Sequence, residues 1–255
     1  MADPAESTGT GPAESTETGA TLSLVRHVAT RWNEGGTGKE RSRGWASVPP
    51  DPEQLKKLGP GIVRQLEQLG VKRLLSSDLP RAAKTAEWLG REMDVPVQAT
   101  RRLRTWDTGE MSGKLEKETI PQRKKYMKYP DTKPPGGEPF EDFLARVEPE
   151  LRKWLKHNEE HPDEPVAIVV HGHMVLAAPA VLNGGEVEPE ALDRLDREFP
   201  PGSVILVRKK GGEISMERIH PPERGRTSPK GEQSDEEDVA LNSGSRAARA
   251  RRGEG

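Results

Sequence analysis

Residues Leu22 to Asn33 read Leu-Ser-Leu-Val-Arg-His-Val-Ala-Thr-Arg-Trp-Asn. The run Leu22 to Val25 is apolar and branched, the composition of a strand buried on both faces. Arg26 and His27 follow side by side, then Thr30, Arg31 and Asn33. A strand that ends in Arg-His delivers charged groups to the carboxyl edge of a sheet, where open α/β sheets bind ligands. Arg is a fork-shaped anion binder, and His carries protons or attacks electrophiles near neutral pH. The plain alternative is a strand end with two solvated side chains, so the rest of the chain must decide.

A second stretch repeats the arrangement. Val166 to Val170 is apolar throughout, ends in His171-Gly172-His173, and leads into an apolar helix from Met174 to Leu182. A lone His at a strand end is more often structural, but two strands that each end in His, one with Arg26 attached, lead us to expect a convergent site. Between them, Ser77-Asp78-Leu79-Pro80-Arg81 opens a helix reaching about Met93. Arg81 in its first turn opposes the helix dipole. It is either an ordinary exposed Arg or part of an anion site that uses the free N–H groups of the helix start.

The remaining elements surround these. Leucines and Ile62 between Leu55 and Leu69 have helical spacing, and Gly59-Pro60-Gly61 places the helix start at Pro60, with Gly70 as cap. Val95 to Ala99 is expected to be a short strand. Arg101 to Gly113 reads as a loop, Glu116 to Tyr126 as a charged lid or surface helix, and Pro134-Pro135-Gly136-Gly137 as a turn. A helix follows from Pro139 and contains Pro149, which predicts a kink. Gly202 to Arg208 and Glu213 to Ile219 read as a hairpin around Gly211-Gly212. Trp32 and Trp45, in or beside a Gly- and Arg-rich loop, are expected to pin that loop to the core rather than stack on a ligand.

Composition bounds the rest. The chain has 255 residues, only 31% hydrophobic, with no Cys and a net charge of -2. Its mean hydropathy is -0.83, too polar for the whole length to pack. The polarity concentrates at the ends. Residues 1–20 carry Pro-Ala-Glu-Ser-Thr twice, and residues 221–255 combine an acidic cluster with an Arg-rich end. Both are expected to be disordered tails around one domain at 21–220. The lack of Cys excludes disulfides, thiolate metal sites and Cys nucleophiles. The balanced charge predicts no nucleic-acid partner. No span or secretory signal is present, so the expectation is a cytoplasmic protein with no membrane partner.

Arg26-His27, Trp32-Asn33, Ser76-Ser77-Asp78-Leu79 with Arg81, Pro135-Gly136-Gly137-Glu138 and Val170-His171-Gly172 occur in an order that resembles the histidine phosphatase superfamily, in its phosphoglycerate-mutase-like branch. The match covers roughly residues 21 to 219. The resemblance implies a three-layer α/β/α fold with a mostly parallel central sheet. It implies His27 as the nucleophile, with Arg26, Arg81 and His171 around the phosphate, helped by Asn33 and Thr30, and no metal or cofactor. The residue types suit phosphoryl transfer, whose charge spreads over three oxygens. His173 has no counterpart role.

Two positions depart from the family pattern. Val28 stands where Gly is usual, and Thr105 stands where a Glu commonly acts as general acid. Asp107, in the same loop, is the candidate replacement, ahead of Glu110. The expected activity is a metal-independent phosphatase acting on a small phosphorylated substrate or a phosphohistidine protein. The alternatives are a mutase-type phosphotransferase and a phosphate-binding regulatory module. Substrate identity and oligomeric state are not legible in the residues.

Overall fold

The two apolar runs become neighbouring strands in the middle of one sheet. The structure, a computed structural model, describes residues 21–33 and 38–220. Its six strands are β1 (Thr21–Arg26), β2 (Arg73–Ser77), β3 (Val97–Thr100), β4 (Val166–Val170), β5 (Val204–Lys210) and β6 (Glu213–His220). They are ordered β3-β2-β4-β1-β5-β6. β3, β2, β4 and β1 run parallel, and β5 and β6 add an antiparallel edge.

Among the described residues six α-helices flank the sheet or pack on its helices: α1 (Pro52–Gln68), α2 (Pro80–Met93), α3 (Glu116–Lys128), α4 (Phe140–Glu160), α5 (Gly172–Asn183) and α6 (Ala191–Glu198). Side chains alternate across a strand, and both faces here are buried. Leu22, Leu24, Val166, Ile168 and Val170 pack with the apolar faces of α4 and α5. Val25, Ala167 and Val169 pack with Ile62 and Leu66 of α1 and Ala82, Ala86 and Leu89 of α2. The result is the mixed, mostly parallel α/β sheet between helical layers that the motifs imply.

The register places the site. β1 and β4 pair in parallel with Arg26 opposite Val170. The next residues are His27 and His171, and the backbone N–H of His27 still donates to the carbonyl of Val170 at 3.0 Å. Adjacent strands lie about 4.8 Å apart, so the two imidazoles are neighbours by construction.

Several elements differ from their sequence reading. α1 begins eight residues before the expected Pro60, with Asp51 as its cap and Pro60 inside it. Its glycines are spacers rather than breakers. A Cβ on Gly59 would lie 2.3 Å from the Trp88 ring, and one on Gly61 2.4 Å from His220. β3 starts two residues later than expected. α3, expected as a lid or surface helix, is largely solvent-facing but turns one buried face, Thr119, Arg123 and Met127, inward. α5 starts at Gly172 rather than Met174, and α6 was not anticipated. The expected tails, 1–20 and 221–255, lie outside the described residues.

The loop that follows β3 is fastened to the Pro-Pro-Gly-Gly-Glu turn. Gly109 has φ of +51°, and a Cβ there would lie 2.1 Å from the Pro135 carbonyl oxygen and 2.4 Å from the Gly137 nitrogen. Gly109→Ala therefore combines a left-handed backbone with a clash against main chain. It is expected to lower unfolding free energy by about 2–3 kcal/mol, measured by urea denaturation. A change within error would show that the two loops are not locked together.

Candidate active site

Arg26 is the last residue of β1, and its side chain is buried. Its Nη1 donates to the Phe199 carbonyl (2.6 Å) and pairs with Asp196 of α6 (2.6 Å). Gly172 leaves room for the guanidinium. A Cβ on Gly172 would sit 3.3 Å from Arg26 Nη2 and 2.7 Å from Leu195 Cδ2.

His27 is 2% exposed. Its Nδ1 lies 2.7 Å from the Val28 carbonyl oxygen. A carbonyl only accepts, so Nδ1 carries the ring proton and Nε2 keeps its lone pair. Burial, then the charge of Arg81, hold the His27 pKa well below its usual value, so the ring stays neutral. That is the form of a nitrogen nucleophile. Val28 is fully buried in the core. Among the described residues Asp94 is the one non-Gly residue with positive φ, so Val28 occupies a backbone conformation open to any residue. The replacement of Gly imposes no strain there.

The His171 ring stands edge-on to His27, with centroids 5.3 Å apart. Both of its nitrogens are buried and without a protein partner. Burial first, then Arg81 and His27, push its pKa well below the usual value. Arg81 is 1% exposed, which discards the reading of an ordinary surface Arg. It reaches across to donate to the Gly44 carbonyl (2.7 Å) and the Ala46 carbonyl (3.1 Å). Its Nε remains unpartnered.

These four residues line a narrow cavity with about 50 Å³ of interior space. Arg43, Thr105, Glu116, Arg123, His173 and Asp196 share its wall. Arg43 and Arg123 both approach Glu116 Oε1, at 3.1 and 3.8 Å. The wall thus holds four guanidinium groups and two carboxylates, and burial keeps its three histidines neutral. Burial and the neighbouring Arg43 also destabilise the charge on Arg81. Two uncompensated positive charges in a desolvated cavity make a strong anion site, and a phosphoryl dianion would offset both. No group of three or more His, Asp or Glu among the described residues is arranged to hold a metal ion.

Arg43, Glu116, Arg123 and Asp196 escaped the sequence reading. Arg123 lay in a helix whose charge pattern looked like solvent exposure, and Asp196 in a helix that carries no strong signal.

The structure does not bring the other expected residues to the cavity. The Asn33 side-chain oxygen accepts from the Thr30 amide (2.9 Å) and the Thr30 hydroxyl (3.1 Å), so the pair ties its own turn. Asp107 turns into its loop. Its Oδ1 caps the Gly109 amide (3.0 Å), and its own amide donates to Glu138 (3.0 Å). Thr105 is the residue of this loop that faces the cavity. Its carbonyl accepts from Trp45 Nε1 (2.8 Å) and Arg146 (3.3 Å). Trp45, as expected, is a loop anchor. Arg104 lies 4.7 Å from its ring centroid and grips Asp78 with two bonds of 2.6 and 2.7 Å.

Three neutral buried histidines link stability to pH. Each binds a proton in the unfolded chain near its ordinary pKa but resists it when folded. Their contribution is full above about pH 6.5 and is lost as pH falls toward the folded pKa values. Unfolding free energy should drop between pH 7 and 5 by up to roughly 1 kcal/mol per pH unit for each histidine. His171→Asn should flatten that slope by one proton's worth. Urea melts across this range check it, and an unchanged slope in the variant would show that His171 is not buried neutral.

The histidine phosphatase superfamily (branch 1) model matches residues 22–220. An uncharacterized phosphatase, PhoE, of Bacillus subtilis is 26% identical over 168 residues, 65% of this chain and 78% of that protein. A 2,3-bisphosphoglycerate-dependent phosphoglycerate mutase of Nitrobacter winogradskyi is 30% identical over 208 residues, 73% of this chain and 90% of that protein. A solved mycobacterial glucosyl-3-phosphoglycerate phosphatase superposes with a TM-score of 0.61 at 23% identity, covering 78% of this chain and 96% of that one, and supports the fold. With Arg26-His27, Arg81 and His171 gathered at one sheet edge, the chain belongs to the histidine phosphatase superfamily.

Proposed function

We propose that this protein is a phosphatase that passes a phosphoryl group through His27 to water, without a metal ion, and that it favours phosphates with good leaving groups. The observation that carries the reading is the His27 tautomer. With Nδ1 donating to Val28, the Nε2 lone pair is the free one, in a wall of cationic donors.

In the first step Nε2 forms a bond to phosphorus. The bond from phosphorus to the leaving oxygen breaks, and its electron pair departs with that oxygen. Arg26, Arg81 and His171 hold the three equatorial oxygens as charge grows on them. In the second step water attacks phosphorus and the P–N bond returns its pair to Nε2. A water proton ends on the phosphate or in solvent.

Leaving-group preference rests on Thr105. A hydroxyl cannot protonate an alkoxide as a carboxylic acid can, and Asp107 is engaged within its own loop. General acid help is worth a factor of roughly a hundred to ten thousand, so alkyl phosphates lose most by its absence. Aryl and acyl phosphates and phosphohistidine lose least. They are the substrate classes this site suits.

His27→Ala should abolish turnover and phosphoenzyme formation. His171→Ala and Arg81→Ala should each lower the rate by about two to three powers of ten. Rates over a series of aryl and alkyl phosphates, measured in a strong chelator, should fall steeply as leaving-group pKa rises. Asp107→Asn should leave that slope unchanged. Persistent turnover in the His27 variant, or loss of activity on chelation that Mg²⁺ restores, would refute the reading.

A further inference from the structure

His173 and Arg123 are buried polar groups with no part in the steps above, yet both face the cavity. Arg123 Nη1 lies 3.5 Å from His173 Nε2. Across the ring, His173 Nδ1 lies 3.2 Å from the Thr105 hydroxyl. The three groups form one chain that ends at the residue standing where an acid is expected.

The direction of that chain follows from donor chemistry. A guanidinium has donors and no acceptor, so His173 Nε2 must be the acceptor. The ring proton therefore sits on Nδ1 and is donated to Thr105 Oγ1. The hydroxyl then keeps its own hydrogen for a different acceptor. Among the described residues, Thr105 Oγ1 makes no other hydrogen bond, and the side chain lines the cavity. The ring is held in place by the edge-to-face contact of Trp106, with centroids 5.4 Å apart. Thr105 is held by its carbonyl bonds to Trp45 and Arg146.

We propose that Thr105 donates this hydrogen bond to the leaving-group oxygen, and that His173 and Arg123 are positioning residues that orient and polarise its hydroxyl. The proposal rests on the phosphohistidine reading. Thr105 does not transfer its proton. As the P–Nε2 bond forms, the leaving oxygen takes the P–O electron pair and departs as an oxyanion hydrogen-bonded to Thr105. Water protonates it afterwards. Burial and the Arg123 charge hold His173 neutral, which leaves no imidazolium to act as acid behind Thr105. The nearby carboxylates are otherwise occupied: Glu116 by Arg43 and Arg123, Asp196 by Arg26. A donor of this kind suits oxygen leaving groups that survive as anions, which favours aryl and acyl phosphates over sugar phosphates.

The test uses the full chain and a series of substituted phenyl phosphates. Thr105→Val should lower kcat/KM about 10- to 100-fold for phenyl phosphate, the loss of one hydrogen bond to a charged oxygen. It should do much less for 2,4-dinitrophenyl phosphate, whose leaving oxygen carries less charge. Thr105→Ser should retain parent behaviour. His173→Leu should reproduce the leaving-group-dependent loss in the parent and add nothing in the Thr105→Val background. His173→Asn, which keeps an N–H near the Nδ1 position, should restore much of it. Nitrogen-15 NMR should show the Nδ1–H tautomer of His173, a signature independent of turnover. An Nε2–H tautomer would overturn the proposal. So would a loss in Thr105→Val that is equal across the series, or a His173→Leu loss that is the same in both backgrounds. The stereochemical course at phosphorus, read with a phenyl phosphate made chiral by oxygen isotopes, separates the two readings. Net inversion refutes the phosphohistidine step, whereas net retention with uniform losses refutes the Thr105 donor alone.

Discussion

The structure depends on an excess of buried positive charge at the carboxyl edge of the sheet. Arg26, Arg81 and Arg123 are almost fully buried, and Arg43 nearly so. Two carboxylates answer four guanidinium groups. Such a cluster is costly, because burial penalises charge and like charges repel. The surrounding fold offsets part of that cost with carbonyl oxygens. Gly44, Ala46 and Phe199 each turn a main-chain acceptor toward a guanidinium. What remains is the affinity for an anion. Burial first, and then the field of these arginines, suppress protonation of His27, His171 and His173, so the site is cationic through its arginines while its histidines stay neutral.

A second constraint is the anchoring of the loop between β3 and α3. Arg146 of α4 reaches the carbonyls of Arg104 and Thr105 and pairs with Glu138. Glu138 in turn accepts the Asp107 amide. Trp45 bonds Thr105 from the other side, under Arg104 and the Asp78 pair. The Pro-Pro-Gly-Gly-Glu turn is thus a clamp on the residue at the acid position. Asp107 is removed from the cavity by this same network, because its carboxylate is used to cap Gly109. Precision at Thr105 and displacement of Asp107 have one cause.

By itself the sequence determined the parts that local patterning encodes. Two apolar runs ending in His mark two buried strands, and the parallel register of β1 with β4 in the structure then sets His27 beside His171. Arg81 in a first helical turn announced an unbalanced cation. The departures at Val28 and Thr105 were visible as residues, though not their consequences. Only the tertiary structure decided the rest, since it depends on contacts distant in sequence. Gly59 and Gly61 look like helix breakers until Trp88 and His220 are packed against them. Arg123 looks solvated until α3 is laid over the cavity, and Asp196 acquires meaning only beside Arg26, 170 residues earlier in the chain. Which side chain of the 104–110 loop faces the nucleophile was decided by Trp45, Arg146 and Glu138. Hydrogen bonds between segments aim a side chain, and no spacing along a single chain reports them.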